Sequence, residues 1–513
     1  MRSLLNLLLA GPAFLAVGRT HAAETTGIEK TGPLAACRQL KELFPSQVFL
    51  PGIIWSETCL ATPSCVLLPH FSQDVSSAIQ IISRTHSPFA ILCGGHMPIP
   101  GAASTNSGVL ISLHKLNTLS LVDEGKTIQI GTGNRWSDVY NYTAQFNLAV
   151  NGGRYGQVGV GGLLLGGGIG YFGSQTGWAA DSVVQYEIVL ANGTVALINA
   201  GSAPDLFWAL KGGGNYFGIV TRFDMATIRV PAGVYSGVTI WEGTPSAVEA
   251  WFDVLGSYLA PGWGGVGDPL SALSPTVAMT PHNGTYEVLV LKWYGAPDPA
   301  PRAFEKFSTS SIPGPTLQDR GGVTPWNYLS QALDSPAYAS RDRRQLFFAV
   351  SFKADARAVS IANRTVFKRA GEELKNVRGS TITLAYQPIS KAWLGASKGA
   401  GGSALGLEPE DGPFIAGLIS TTWEDASDDE LVLTFNREVV ASINEQNSAL
   451  GLDHPFVYMN DAGPGQDPFA SYGEKSLKRL RRIQRGVDED GVLRAQLAHA
   501  FDLFLGGFGG RGA

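Results

Sequence analysis

Three stretches of the 513-residue chain hold the residues best suited to chemistry. The first, Cys93-Gly94-Gly95-His96-Met97-Pro98-Ile99-Pro100-Gly101-Ala102-Ala103-Ser104, sets an imidazole directly after two glycines. Glycines let a backbone approach a ligand closely and aim its N–H groups at anionic oxygens, which suits a pyrophosphate. On residue type alone His96 reads as a nucleophile, a ligand or a hydrogen-bonded loop histidine. The second stretch carries Gly159-Val160-Gly161-Gly162 and Gly166-Gly167-Gly168-Ile169-Gly170, and residues 151–173 hold 11 glycines. Val158, Leu163, Leu164, Leu165 and Tyr171 are interleaved with them, which marks packed structure rather than a low-complexity tract. A strand–helix–strand context with an acid about 20 residues on is not evident, so a phosphate cradle outside a Rossmann lobe is expected. The third stretch is Tyr458-Met459-Asn460-Asp461, ahead of Ala462-Gly463-Pro464-Gly465. Asp461 reads either as a general base, if burial raises its pKa, or as a solvated turn acid. Tyr386, in Ala385-Tyr386-Gln387-Pro388, is its competitor.

Other chemistries find less support. None of the eight histidines stands in an H-E-x-x-H pattern and none of the four cysteines in C-x-x-C, so no metal site is expected. Lys+Arg 38 against Asp+Glu 43 gives a formal charge of −5 with no basic run, which leaves no electrostatic footprint for nucleic acid. A small organic molecule is the expected partner. The N-terminus has Arg2, a short apolar run from Leu4 to Val17 and small residues at Thr20-His21-Ala22-Ala23, the pattern of a secretory signal over residues 1–22. That run is shorter than the roughly 20 residues a membrane span requires, so no membrane anchor is expected. Secretion gives meaning to N-x-[ST] sequons at Asn141, Asn192, Asn283 and Asn363 as glycan sites. It also permits disulfides among Cys37, Cys59, Cys65 and Cys93, with three pairings open.

VLLP at 66–69 and FAILC at 89–93 read as buried strands flanking a helix that places Val75, Ile79 and Ile82 on one face. Strand-like runs follow at Gly108–Leu113, Ser120–Val122 and Thr127–Thr132, then a helix near Trp136–Phe146. Ala191-Asn192-Gly193 signals a hairpin between Val183–Leu190 and Val195–Ile198. Beyond Val230-Pro231 the pattern changes. Strands Tyr235–Trp241, Thr285–Trp293, Gln345–Phe352, Thr381–Tyr386 and Phe414–Trp423 alternate with helices Ser246–Leu259, Arg357–Leu374 and Asp428–Glu445, which suggests a second sheet with helices on one face.

Gly94-Gly95-His96 in a loop, the glycine-rich 159–170 segment and Ala209-Leu210-Lys211-Gly212-Gly213-Gly214 followed by Phe217-Gly218-Ile219-Val220-Thr221 together resemble the FAD-linked oxidases of the vanillyl-alcohol oxidase superfamily, within the berberine bridge enzyme-like group. The match runs from about Pro69 to Phe223 and resumes at Tyr458–Asn460. The resemblance implies an α+β fold: a two-subdomain PCMH-type FAD-binding lobe at 60–230, a substrate lobe with an antiparallel sheet flanked by helices at 231–452, and a segment at 453–513 returning to the first lobe. It implies FAD joined through its 8α-methyl to His96, although Leu92-Cys93 stands where the family usually has Arg-Ser. Gly153-Arg154-Tyr155-Gly156-Gln157-Val158-Gly159 puts Tyr155 where many relatives have a second, cysteinyl link, so a single covalent bond is expected. Val158 falls at the family's oxygen-gating position. Gly94, Gly95, Gly101, Ser104, Gly159, Gly161, Gly162, Gly166, Gly168, Gly170, Gly218, Ile219, Val220, Tyr458 and Asn460 are the expected cofactor contacts, with Tyr155 and Val158. Asp461 replaces the tyrosine that serves as base in several relatives. Trp293, Phe347 and Trp423 are candidates for the substrate wall, with a core role the stronger reading for each.

The expected activity is a secreted oxidase that passes hydride from an organic substrate to flavin N5, with O2 as acceptor. Gly401–Leu407 and Trp423-Glu424-Asp425 look most like fungal members that tailor secondary metabolites. A carbohydrate or alcohol oxidase, or a flavin-containing binding protein without catalysis, are the alternatives.

Overall fold

The computed structural model describes residues 30–49, 56–231, 233–260, 265–333 and 343–504. The signal segment therefore lies outside the described residues.

Short apolar runs between glycine-rich turns build the first lobe from two small sheets. In the first, Val48–Phe49, Cys65–Leu67, Val109–Ser112 and Phe89–Leu92 lie side by side in that order, the last three parallel. Parallel neighbours require a crossover, and the helix Ser72–Thr85 provides one, burying Val75, Ile79 and Ile82 as their spacing predicts. Asp74 begins that helix by accepting the His70 and Phe71 amides at 2.8 and 3.2 Å. The helix Gly32–Leu43 is tied to the sheet by a Cys37–Cys65 disulfide, and Cys59 and Cys93 are free thiols. The second sheet is antiparallel, in the order Leu119–Val122, Thr127–Gly131, Ile219–Ala226, Val183–Val189, Val195–Ile198.

The second lobe is one seven-stranded antiparallel sheet, in the order Thr316–Thr324, Val234–Glu242, Thr285–Tyr294, Ser271–Thr280, Thr381–Ile389, Phe414–Trp423, Arg344–Lys353. Side chains alternate between its faces. Leu346, Phe348, Ile382, Leu384, Tyr386, Ile415 and Ile419 enter a core with Trp251, Leu255, Val366, Phe435 and Val439 of the helices Pro245–Leu259, Ala356–Glu373 and Asp429–Ser448. The opposite face turns to the first lobe. The chain then re-enters that lobe through the helices Gly473–Val487 and Val492–Gln496. The Ala498 amide donates to Phe89 O at 2.8 Å, and the His499 ring stacks on Tyr216 at 3.7 Å.

Two strands of this sheet carry no clear signal in the sequence. Ser271–Thr280 contains Pro275, which cannot donate to a ladder; pairing with Thr381–Ile389 covers only Thr276 to Met279, so the proline sits just past the last pair. Thr316–Thr324 is a largely exposed edge strand whose Gly321 lies against the Tyr235 hydroxyl, 2.6 Å from where a Cβ would stand.

Candidate active site at the lobe boundary

The two glycine stretches cross. A Cβ on Gly94 would stand 2.5 Å from the Gly159 backbone, and one on Gly159 would stand 2.5 Å from that of Gly94. No side chain fits at either position. Arg135, just before the helix Trp136–Ala144, fastens the crossing by donating to the Gly94 carbonyl at 3.3 Å and to the Gln157 carbonyl. Backbone bonds from Trp136 N to Val158 O and from Val160 N to Asn134 O, both 3.1 Å, complete the lacing. His96 leaves this crossing half-buried, its ring 6.4 Å from that of Phe347 on the second lobe's sheet.

The glycines further along are held by the C-terminal stretch. Asn460 fills the space a side chain on Gly166 would need, and its Nδ2 donates to Leu163 O at 3.0 Å and to the Tyr458 hydroxyl at 2.9 Å. That hydroxyl also accepts the Ile169 amide at 3.0 Å, and the Tyr458 ring stacks on Trp178. Gly168 has a φ of +90° and Gly170 packs against Asn151. Gly161 lies against Thr132 and the Cys93 sulfur, whose thiol burial pushes up to about 11. Gly218, with a φ of +145°, packs on Ile188, and Ile219 and Val220 pair with Val189 and Ile188 in the second sheet, their side chains buried in the cores.

These residues fit an extended dinucleotide. Ser104 is buried, yet its hydroxyl has no partner among the described residues. A buried hydroxyl without a partner is costly, and a ligand oxygen would relieve it. Beside Gly101 and Gly162 there is open space where a side chain would stand, in contrast to the closed contacts at Gly94, Gly159 and Gly166. Tyr155 is 42% exposed on the loop before Val158, which is half-buried.

Asp461 sits where the C-terminal stretch meets the second lobe, only 8% exposed. Its Oδ2 accepts from Gln387 Nε2 at 2.7 Å, and the same nitrogen donates to Ala416 O at 2.9 Å. Gln387 Oε1 accepts in turn from Arg154 Nη2. Burial pushes the Asp461 carboxyl up to about 6, against the smaller downward pull of the Gln387 hydrogen bond and the Arg154 charge. It is therefore a carboxylate near neutrality that gains a proton in mild acid.

Tyr386 does not share this site. Strand alternation turns it away from Asp461 and into the helix-covered core, its ring centroid 6.2 Å from Trp251 and 6.1 Å from Phe252. Burial holds its hydroxyl well above its ordinary pKa, and the hydroxyl has no partner among the described residues. Gln387, the next residue, takes the place facing Asp461. Trp293 is enclosed between Tyr171 and Phe172, and Trp423 donates from its indole to Asp429 at 2.8 Å; both are core residues. Of the three aromatics proposed as a substrate wall, Phe347 alone is half-buried on the site-facing side.

Phe347 opens a floor whose composition follows from register. Phe347 pairs with Ser420 and Ser420 with Thr383; one row away, Leu418 pairs with Ala385 and Ala385 with Thr276. All six are half-buried, while their strand neighbours toward the helices are buried. The floor beside Asp461 and His96 is thus neutral, mixing apolar groups with hydroxyls. Among the described residues no group of acids, histidines and cysteines is arranged to hold a metal, and no helix is long and apolar enough to cross a membrane.

A lobe of two small sheets carrying crossed glycine loops, joined to a sheet that roofs them with one open face, is the architecture expected of a flavin-linked oxidoreductase. Comparison with known proteins agrees. The FAD binding domain family matches residues 63–199. The chain is 39% identical over 485 residues to the FAD-dependent monooxygenase prx3 of Penicillium roqueforti, covering 91% of this chain and 93% of that protein. It is 30% identical to the bifunctional solanapyrone synthase of Alternaria solani, covering 92% and 88%. Among solved structures, 6-hydroxy-D-nicotine oxidase from Arthrobacter nicotinovorans superposes with a TM-score of 0.71 at 19% identity, covering 88% of this chain and 96% of that one. The carbohydrate oxidase of Microdochium nivale gives 0.70 at 18%, covering 90% and 99%. The chain belongs to the family of these fungal FAD-dependent monooxygenases and is an FAD-dependent oxidoreductase, with a fold that it shares with berberine bridge enzyme.

Proposed function

We propose that this FAD-dependent enzyme is an oxidase that removes hydride from a neutral, largely apolar metabolite bearing an acidic O–H group, with Asp461 as the base. The single observation that carries the reading is the buried Asp461 carboxylate, poised near 6 at the edge of a neutral floor. Bound FAD supplies the acceptor for the two electrons, which O2 takes on as hydrogen peroxide. Asp461 takes the substrate's proton, a role that asks for a pKa near the working pH. The floor of Phe347, Leu418, Ala385 and three hydroxyl side chains holds a flat substrate by apolar contact, with few fixed polar contacts to orient it. An oligosaccharide would leave hydroxyls facing Phe347, Leu418 and Ala385 without polar partners, so the floor favours a secondary metabolite over a carbohydrate. The 30% identical relative from Alternaria solani is named for the synthesis of solanapyrone, not for a sugar, which supports the same substrate class.

His96 is proposed as the single covalent attachment point, with Tyr155 leaving no thiol for a second. Secretion is proposed from the 1–22 segment, and the Cys37–Cys65 disulfide supports an oxidising compartment. Glycans are proposed at Asn192 and Asn283, both exposed on turns. Asn363 is less suited: it is half-buried within the helix Ala356–Glu373 and accepts the Tyr286 hydroxyl at 2.7 Å. Anaerobic mixing with a panel of neutral polyketides, benzylic alcohols and sugars tests the activity. Bleaching by the first two classes is expected; bleaching by sugars alone would overturn the substrate class. Acid precipitation tests the link: yellow colour should stay with the pellet and be lost to the supernatant in His96→Ala.

A further inference from the structure

We propose that Arg154 and Gln387 are positioning residues that orient Asp461, holding its Oδ2 so that Oδ1 takes the substrate's proton. The inference rests on the reading of Asp461 as base.

The Gln387 amide is fixed on all sides. Its oxygen accepts from Arg154, and its nitrogen donates to both the Ala416 carbonyl and Asp461 Oδ2. An ionised or neutral carboxyl can accept at Oδ2, but a proton placed on Oδ2 would face the amide N–H and break the bond. Proton transfer is thereby directed to Oδ1. Arg154 fixes which way the amide points, because a guanidinium offers only donors and so demands the amide oxygen. The Arg154 contact spans 233 residues of sequence and crosses the lobe boundary. It starts from the loop that carries Tyr155, where the family resemblance would place a second flavin tether. In this chain that loop reaches over to the base.

Among the described residues few charged or titratable groups surround Asp461, and His96 lies across the floor against Phe347. From the glycine-rich segment comes Arg154, whose charge favours the carboxylate; from its own segment comes Tyr458, whose hydroxyl is held by Ile169 and Asn460 and kept neutral by burial. The strand Thr381–Ile389 contributes only the neutral Gln387, and Arg344–Lys353 presents Phe347 and Ala349. The Arg154–Gln387 chain is therefore the polar support that draws Asp461 toward its ionised form.

Infrared titration of the holoenzyme reads this without a substrate. The C=O stretch of protonated Asp461 is assigned by its absence in Asp461→Asn and followed against pH. Wild type should titrate near 6. Gln387→Leu should move the midpoint up by about one pH unit, and Arg154→Met by less. Arg154→Lys, which retains the charge and a donor, should restore most of the shift, and circular dichroism confirms that each variant is folded. The acid limb of flavin reduction by any substrate that bleaches the wild type should move with the infrared midpoint. Unchanged midpoints in folded Gln387→Leu and Arg154→Met would overturn the proposal. Shifted midpoints, with flavin reduction unaffected in Asp461→Asn, would keep the hold on the carboxyl but overturn Asp461 as base and, with it, the direction of proton transfer to Oδ1.

Discussion

Asp461 and Asp181 are both buried aspartates whose carboxyls burial pushes up to about 6. Their surroundings separate them. Asp181 stands 3.8 Å from the Lys211 ammonium, which burial in turn pulls below its ordinary pKa; the Trp178 amide donates to its other oxygen at 2.9 Å. Lys211 also donates to the Ala400 carbonyl at 3.2 Å and lies over the Phe207 ring. That pair joins the 390–405 region to the first lobe and faces no open surface. Asp461 meets a neutral amide instead of a cation and borders the half-buried floor. A raised pKa is thus shared by a structural ion pair and a proposed base. Partner charge and the half-buried sheet face beside Gln387 distinguish the two.

The largest effect expected to sharpen that contrast is catalytic. Asp461→Asn should slow flavin reduction by about 10³-fold, within the range of lost general-base catalysis, while Asp181→Asn leaves the pH profile of the folded enzyme in place. Stopped-flow absorbance measures both. Next comes stability. Asp181→Asn strands a buried ammonium and should lower the unfolding free energy by about 3–5 kcal/mol in denaturant titrations, with Asp181→Asn/Lys211→Met recovering much of it.

A third, smaller effect has the opposite sign at Asp461. Its folded pKa of about 6 lies above the unfolded value, so between roughly pH 4 and 6 the folded state holds the extra proton and stability falls as pH rises through that window. Asp461→Asn removes this loss and should be more stable than wild type at pH 8 by about 1–3 kcal/mol, with no difference near pH 4. A variant that lost activity and stability together would erase the distinction between the two acids. The smallest effect belongs to Tyr386→Phe. Deleting a buried hydroxyl that has no partner should change stability by less than about 1 kcal/mol and leave the acid limb where it is; a displaced limb would return Tyr386 to the site.

The contrast also explains what was legible in the sequence. Gly94, Gly159 and Gly166 are readable because each marks a place where a side chain would collide with backbone or with Asn460, a constraint written in one residue. His96 and Asp461 stand out through the motifs around them. Gln387 was hidden by strand phase: Ala385-Tyr386-Gln387 offers a tyrosine and an amide on opposite faces, and only the pairing of Tyr386 with Gly417 and Gln387 with Ala416 decides which meets Asp461. Arg154 and Arg135 were hidden for another reason. Each acts on carbonyls or amides distant in sequence, and a lone arginine among glycines carries no mark of its partner. The seven-stranded sheet was visible where apolar residues alternate, and lost at Pro275 and at Gly321-Gly322, where the alternation gives way to local backbone requirements.

Asp461 is proposed to take the substrate's proton. The most direct measurement is the rate of anaerobic flavin bleaching against pH, in wild type and Asp461→Asn, with one alcohol that reduces the wild-type flavin. The wild-type rate should rise with pH through about 6, and the variant rate should be slow and lack that limb. A variant that bleaches at the wild-type rate with the same limb would contradict it.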